Sequence, residues 1–437
     1  MSGRSAPGST AGMPIAHRPL ANWVATTILL AAACDPRPTP DVIHTIHTDS
    51  AGIPIATAVT PLWSPGEGWT VDDEPLVEIG SVSGAPEYQF AKAVAAVRLA
   101  SGDIVVADYG ASELRRYDAE GVFIWSAGRE GEGPGEFESL DFVAAMPGDS
   151  LVTYDWVLMR IQVFDPDGRL ARTLRAELPS AIAPPGGSAP DRPVGVVDGR
   201  LIVRFAEMAD VASTGIVRWV NYRLVALDLG DGSATSLIVV GGEEVDLARR
   251  DDGGLDDGRY VFFNLPEFGA AAGPVAVIDS EAWRVRLVSP LDGAIERIIR
   301  REVEPPEATD AVYEAHLEGI VGMVAGAGAP AEQVDFVRRM WREYPRAATL
   351  PVLRSVHVDA GGNIWLAPYY IAGAEPPPFE VFAPDGTWLG KVALPPGLER
   401  AFIQYQAPYM EIGDDYVLGV WRDELGVQYV RMYRLNR

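Results

Sequence analysis

Side chains that can do chemistry are unevenly supplied in this chain. There are five histidines, His17, His44, His47, His316 and His357, and one cysteine, Cys34. His44 and His47 stand three apart in a stretch that reads as extended, which points them to opposite faces and makes them poor joint metal ligands. No GxSxG elbow, HExxH pair or GxxxxGK loop occurs. A triad hydrolase needs a histidine beside its nucleophile, and there is little here to build one from. Carboxylates are plentiful, with 61 Asp and Glu against 36 Lys and Arg. Asp251-Asp252, Asp256-Asp257 and Asp414-Asp415 offer the oxygens that Ca²⁺ favours. None has EF-hand spacing, and Asp beside Gly also serves turns. No catalytic, cofactor-binding or metal residue is therefore assigned. A calcium ion is the one cofactor the composition leaves open.

The stretch GREGEGPGEF, residues 128–137, invites a phosphate reading. No Lys-Ser/Thr follows its glycines, no helix pattern follows, and Glu130, Glu132 and Glu136 would repel an anion. It reads instead as a crossover between elements. If those elements ring a channel, Arg129 and Glu130 are candidate contacts at its mouth.

Cys34 is telling by position. It ends LANWVATTILLAAAC, residues 20–34, an apolar run preceded by His17 and Arg18. The run is short for a comfortable membrane span but has the layout of a secretory signal. Ala31-Ala32-Ala33-Cys34 resembles the lipobox of bacterial lipoproteins, in which the cysteine is lipidated and becomes the mature N-terminus. Residues 1–33 are then a signal peptide and 34–44 a Pro-rich tether. The resemblance implies an exported domain, lipid-anchored to a bacterial membrane. A second start at Met13 would give a more typical signal length. The formal charge of −25 and pI near 4.6 argue against nucleic acid, which needs a basic footprint.

The elements that would position any site come from an internal repeat. Residues 101–121 (SGDIVVADYGASELRRYDAEG) and 147–168 (PGDSLVTYDWVLMRIQVFDPDG) share a Gly-Asp turn, an apolar run, an Asp (Asp108, Asp155), a second run and a turn closing at Gly. Weaker copies close at Gly232, Gly293 and Gly386, and the last begins at Asp414. Short runs rich in Val, Ile, Leu and aromatics predict strands, and Asp/Gly closers predict hairpins. Another apolar run follows each closer, so each unit holds four strands once the segment before it is added. About six such units predict an all-β fold, a six-bladed β-propeller over residues 45–437.

The run Asp155, then Arg160 to Gly168, resembles an NHL-type repeat, and the chain resembles bacterial six-bladed β-propeller lipoproteins of that type. Asp279 and Arg284 match the Asp–Arg pair in the fourth unit. The first unit has Glu113 where the second has Arg160. Ile53–Thr60 is expected to supply the strand missing from the C-terminal unit and so close the ring. Residues 303–349 break the rhythm, and Val334, Val337, Met340, Trp341 and Tyr344 predict a short helical pair around a Gly-Ala-Gly-Ala-Pro turn.

The expected function is a membrane-anchored, monomeric binding module for a protein, peptide or glycan. The alternative is a propeller enzyme, a lactonase-like hydrolase or lyase, with a divalent metal at the channel. Fold does not decide between them.

Overall fold

The computed structural model describes residues 42–184, 188–207, 217–249, 255–259, 261–279, 282–326, 328–398, 409–423 and 426–437, with the side chains of 217–220 and 243–259 left aside. Cys34, Asp251 and Asp252, and the side chains of Asp256 and Asp257, lie outside that description. Six sheets form six blades, antiparallel throughout save for one added outer strand on the fourth. Their innermost strands are Ala93–Arg98, Leu140–Ala145, Ser188–Val197, Glu267–Gly269, Leu353–Val358 and Glu411–Ile412, for blades 1 to 6.

The core is wedged between blades. Six apolar clusters each join two consecutive blades, and the one holding Ile79, Val430, Ala93 and Val106 joins blade 6 to blade 1. Both faces of a blade are thus covered, so second strands such as IVVAD (Ile104–Asp108) are buried throughout. The closing turns need the left-handed region, and Gly121, Gly168, Gly232, Gly293 and Gly386 sit there, at φ of 86°, 80°, 76°, 77° and 90°.

The repeated Asp side chains hold the crossovers. Fully buried Asp155 accepts the backbone N–H groups of Glu138 and Ser139 at 2.8 and 3.1 Å, and that of Leu158 at 2.9 Å. Asp108 does the same for Ala91 and Lys92 at 3.0 and 2.8 Å. GREGEGPGEF is fastened by its own blade. Arg160 donates to the carbonyls of Glu132 and Glu136, and Gln162 accepts from the N–H of Gly135 at 2.7 Å. In blade 1, Arg115 substitutes, with contacts to the carbonyls of Pro86, Glu87 and Gln89 and to Asp108.

Ring closure differs from expectation. Ile53–Ala58 does not join the C-terminal blade. It runs parallel beside Ile295–Arg300 on the outer edge of blade 4, with Thr45–Ser50 outside it. Thr70–Ile79 completes blade 6 by pairing with Gln428–Asn436. Val77 and Ile79 are buried in the blade 6–blade 1 wedge, a ten-residue register that the shorter segment lacks. The small Ala56 suits the blade 4 rim, because it packs against the Gly386 turn of blade 5.

The insertion is helical, as its spacing predicts: α1 is Asp310–Gly326 and α2 is Ala331–Glu343. α1 buries Tyr313, His316, Leu317, Ile320 and Val321, one face at helical spacing. No helix among the described residues is long and apolar enough to cross a membrane.

Candidate functional site

Innermost strands of a propeller face the axis, and here they surround a cavity of about 810 Å³. The ladders place Ala95, Phe142, Arg192, Glu267 and Ser355 at equivalent positions, opposite Ala107, Tyr154, Arg204, Ile278 and Ala367. Tyr409 bridges to Ala95 and takes the sixth place. The next level carries Ala144, Gly269, His357 and Glu411. Ala95, Phe142, Ser355, Ala144 and Gly269 are small or apolar, which lets the polar side chains of the other positions converge on one space.

The first level forms a polar waist. Tyr409, from blade 6, donates its hydroxyl to the carbonyl of Pro193 in blade 3 at 2.6 Å. Those blades lie opposite one another, so the side chain crosses the channel. Its ring stands edge-on to Phe142 at 4.9 Å and carries the Arg192 guanidinium at 5.3 Å. Burial raises the Tyr409 phenol above its ordinary value. Arg204, only 4% exposed in its side chain, pairs with Asp191 and lies over Tyr222 at 4.5 Å. Glu267 is within electrostatic reach of both Arg192 and Arg204.

Glu411 sits one level on. It accepts from the Tyr416 hydroxyl and from the Arg98 backbone N–H, both at 2.7 Å. Burial nevertheless pushes its carboxyl up to about 7, the two hydrogen bonds only partly offsetting the desolvation.

The helical insertion roofs the space with His316, Met340, Trp341 and Tyr344, joined by Phe262 and Tyr369 from outside it. Phe262 meets His316 edge-on at 4.9 Å, and Trp341 lies 5.5 Å from His316. His316 accepts at Nδ1 from the N–H of Ala372 at 3.1 Å. Burial, with the charge of Arg354, lowers its pKa to about 4, so it is neutral. Tyr369 is pushed up to about 12 by burial. Arg354 lines this compartment and stacks on Tyr370 at 4.6 Å.

The sequence-predicted mouth contacts lie elsewhere. Arg129 is exposed and paired with Glu136, and Glu130 is exposed on the crossover; neither lines the cavity. Asp279 and Arg284 form an ion pair, as a blade-holding pair should. Asp414 and Asp415 are exposed. Among the described residues no three His, Cys, Asp or Glu side chains converge as a metal site would need. The residues that do converge, Arg192, Glu267, Arg354, Tyr409 and Glu411, carry no motif. For Arg192, Glu267 and Tyr409 the only signal is a polar type at an inner-strand position where blades 1 and 2 have Ala95 and Phe142.

No family model matches the chain, and no curated protein does. Solved structures of similar fold include a DUF4221 family member from Bacteroides vulgatus, at 9% identity and TM-score 0.47, covering 84% of this chain and 99% of that one. Regucalcin, a calcium-binding protein from Agrobacterium tumefaciens, aligns at 15% identity and TM-score 0.36 over 80% and 93%. A catalytically inactive virginiamycin B lyase from Staphylococcus aureus, with quinupristin, aligns at 9% and 0.37 over 85% and 100%. At these values the likeness carries nothing about the site.

Proposed function

We propose that this chain is an exported, lipid-tethered propeller that binds a small ligand in its central cavity, under the helical roof. The observation that carries this reading is the cavity itself. At about 810 Å³ it is sized for a small molecule or a peptide end, and its lining is largely apolar with a few converging polar groups. Export and tethering rest on the Leu20–Cys34 run and its single cysteine. The metal-enzyme alternative lacks a donor set among the described residues. What favours catalysis as a second reading is Glu411, a carboxyl near neutrality that faces the cavity and suits a general acid.

The test is a thermal-shift screen of small metabolites on the purified protein, repeated on Ala144→Trp. Ala144 lines the cavity, so an indole there takes up part of its volume and narrows it. True cavity ligands stabilise the parent and lose that effect in the variant. Hits unaffected by the indole bind elsewhere and sink the reading. For the tether, Cys34→Ser should move the protein from the membrane to the soluble extracytoplasmic fraction. Retention in the membrane would refute the anchor.

A further inference from the structure

The cavity reverses the electrostatic sign of the chain around it. Acids outnumber Lys and Arg by 61 to 36 overall, yet the lining holds three arginines, Arg192, Arg204 and Arg354, against two carboxylates, Glu267 and Glu411. Arg204 is committed to Asp191. Arg192 lies against Tyr409 beside Glu267, so the waist is close to balanced. Arg354 is placed differently. It comes from the innermost strand of blade 5 and acts electrostatically on His316 and Tyr369, both part of the aromatic compartment under α1 and α2. Among the described residues, the roofing side chains Phe262, His316, Met340, Trp341, Tyr344 and Tyr369 include no carboxylate.

We infer that the ligand is an organic monoanion, a carboxylate with an aromatic or branched apolar body, its carboxylate held at Arg354 and its body under Phe262, Trp341 and Tyr369. This rests on the reading of the cavity as a ligand site. The Arg354 guanidinium lies over the Tyr370 ring at 4.6 Å, and its planar fork of N–H donors is the geometry a carboxylate matches. Arg354 also has an interaction within the protein, and five donors can serve both. A neutral His316 adds no competing charge. Glu267 at the waist disfavours a second negative charge on the ligand, which selects a monoanion over a dianion. Aromatic surface on several sides favours a flat or branched body.

Acid and amide of the same shape separate these contributions. Isothermal titration of the full-length protein would compare naphthalene-1-acetate with naphthalene-1-acetamide, and octanoate with octanamide. The acids should bind about tenfold or more tightly than their amides, because a charge-assisted bidentate pair outweighs a neutral hydrogen bond. Arg354→Gln should erase that preference, weakening the acids far more than the amides. Arg354→Lys, which keeps the charge without the planar fork, should restore part of it. Amides binding as tightly as acids, or a preference that survives Arg354→Gln in a variant of normal melting temperature, would overturn the monoanion assignment while leaving the cavity reading intact. If neither acids nor amides bind, the cavity reading fails with it.

Discussion

Glu411 shows how burial and hydrogen bonding compete on one carboxyl. Its two acceptor bonds favour the anion, yet desolvation wins and its pKa stands near 7 against an ordinary 4.5. The folded protein therefore holds a proton that the unfolded chain releases. Stability from this group is present below the unfolded value and is lost as pH rises through about 7. The loss amounts to up to about 3 kcal/mol. Melting temperature should fall between about pH 4.5 and about pH 7. Glu411→Gln, whose oxygen can accept from the Arg98 N–H while its NH2 donates to a turned Tyr416 hydroxyl, should flatten that slope and be the more stable form at the alkaline end. An unchanged slope in the variant would assign it to another group. The Asp191–Arg204 pair behaves oppositely to a surface ion pair. Asp191→Asn leaves a guanidinium that is 4% exposed without its counter-charge. A cost of about 3–5 kcal/mol is expected, read by urea denaturation. A loss under about 1 kcal/mol would show Glu267 able to replace Asp191.

At the scale of elements, the two N-terminal segments have separable jobs. Ile53–Ala58 covers the outer edge of blade 4, and the following residues reach blade 5, where Leu62 and Trp63 donate to the carbonyls of Trp388 and Leu389 at 2.8 Å. Thr70–Ile79 supplies the fourth strand of blade 6 and part of the wedge to blade 1. Removing residues 43–63 should lower the melting temperature and keep the ring closed. Removing residues 43–79 should open it, exposing Val430 and Met432 and a free edge, and give an aggregating product. Equal behaviour of the two truncations would refute this division. The hairpins were legible because their signals are local, an apolar run and an Asp/Gly closer within a few residues. The closing strand was not, because partner choice is non-local and Thr70–Ile79 is disguised. It carries Asp72, Asp73 and Glu74, and Pro75 sits opposite Tyr433 beside register shifts, tolerated only because the strand is an edge. The cavity residues were hidden for a related reason. Arg192, Glu267, Arg354 and Tyr409 come from four blades and meet only once the ring exists.

On the scale of the whole molecule, charge acts in two opposed senses. A formal −25 on one chain repels itself, and exposed acids such as Glu130 and Glu138 on one crossover take part in that repulsion. Added salt screens such long-range terms, since the Debye length falls to about 10 Å at 0.1 M. The ring holds together through apolar wedges between blades, which salt does not weaken. Stability should therefore rise with ionic strength, by a few degrees in melting temperature between about 0.01 M and about 0.3 M NaCl. Ligand binding in the cavity should also gain from salt, through its rate. Its arginines attract an organic anion that must approach through the field of an acidic exterior, and bulk salt weakens both the attraction and that barrier. The close contact with Arg354 is shielded from solvent and changes little, whereas the approach barrier drops. Association of naphthalene-1-acetate should thus quicken with salt while its dissociation rate stays nearly constant, measured by stopped-flow fluorescence. Dissociation that accelerates steeply with salt would place the anion on the outer surface, and a melting temperature that falls with salt would mean the surface ion pairs outweigh the self-repulsion of the acid excess.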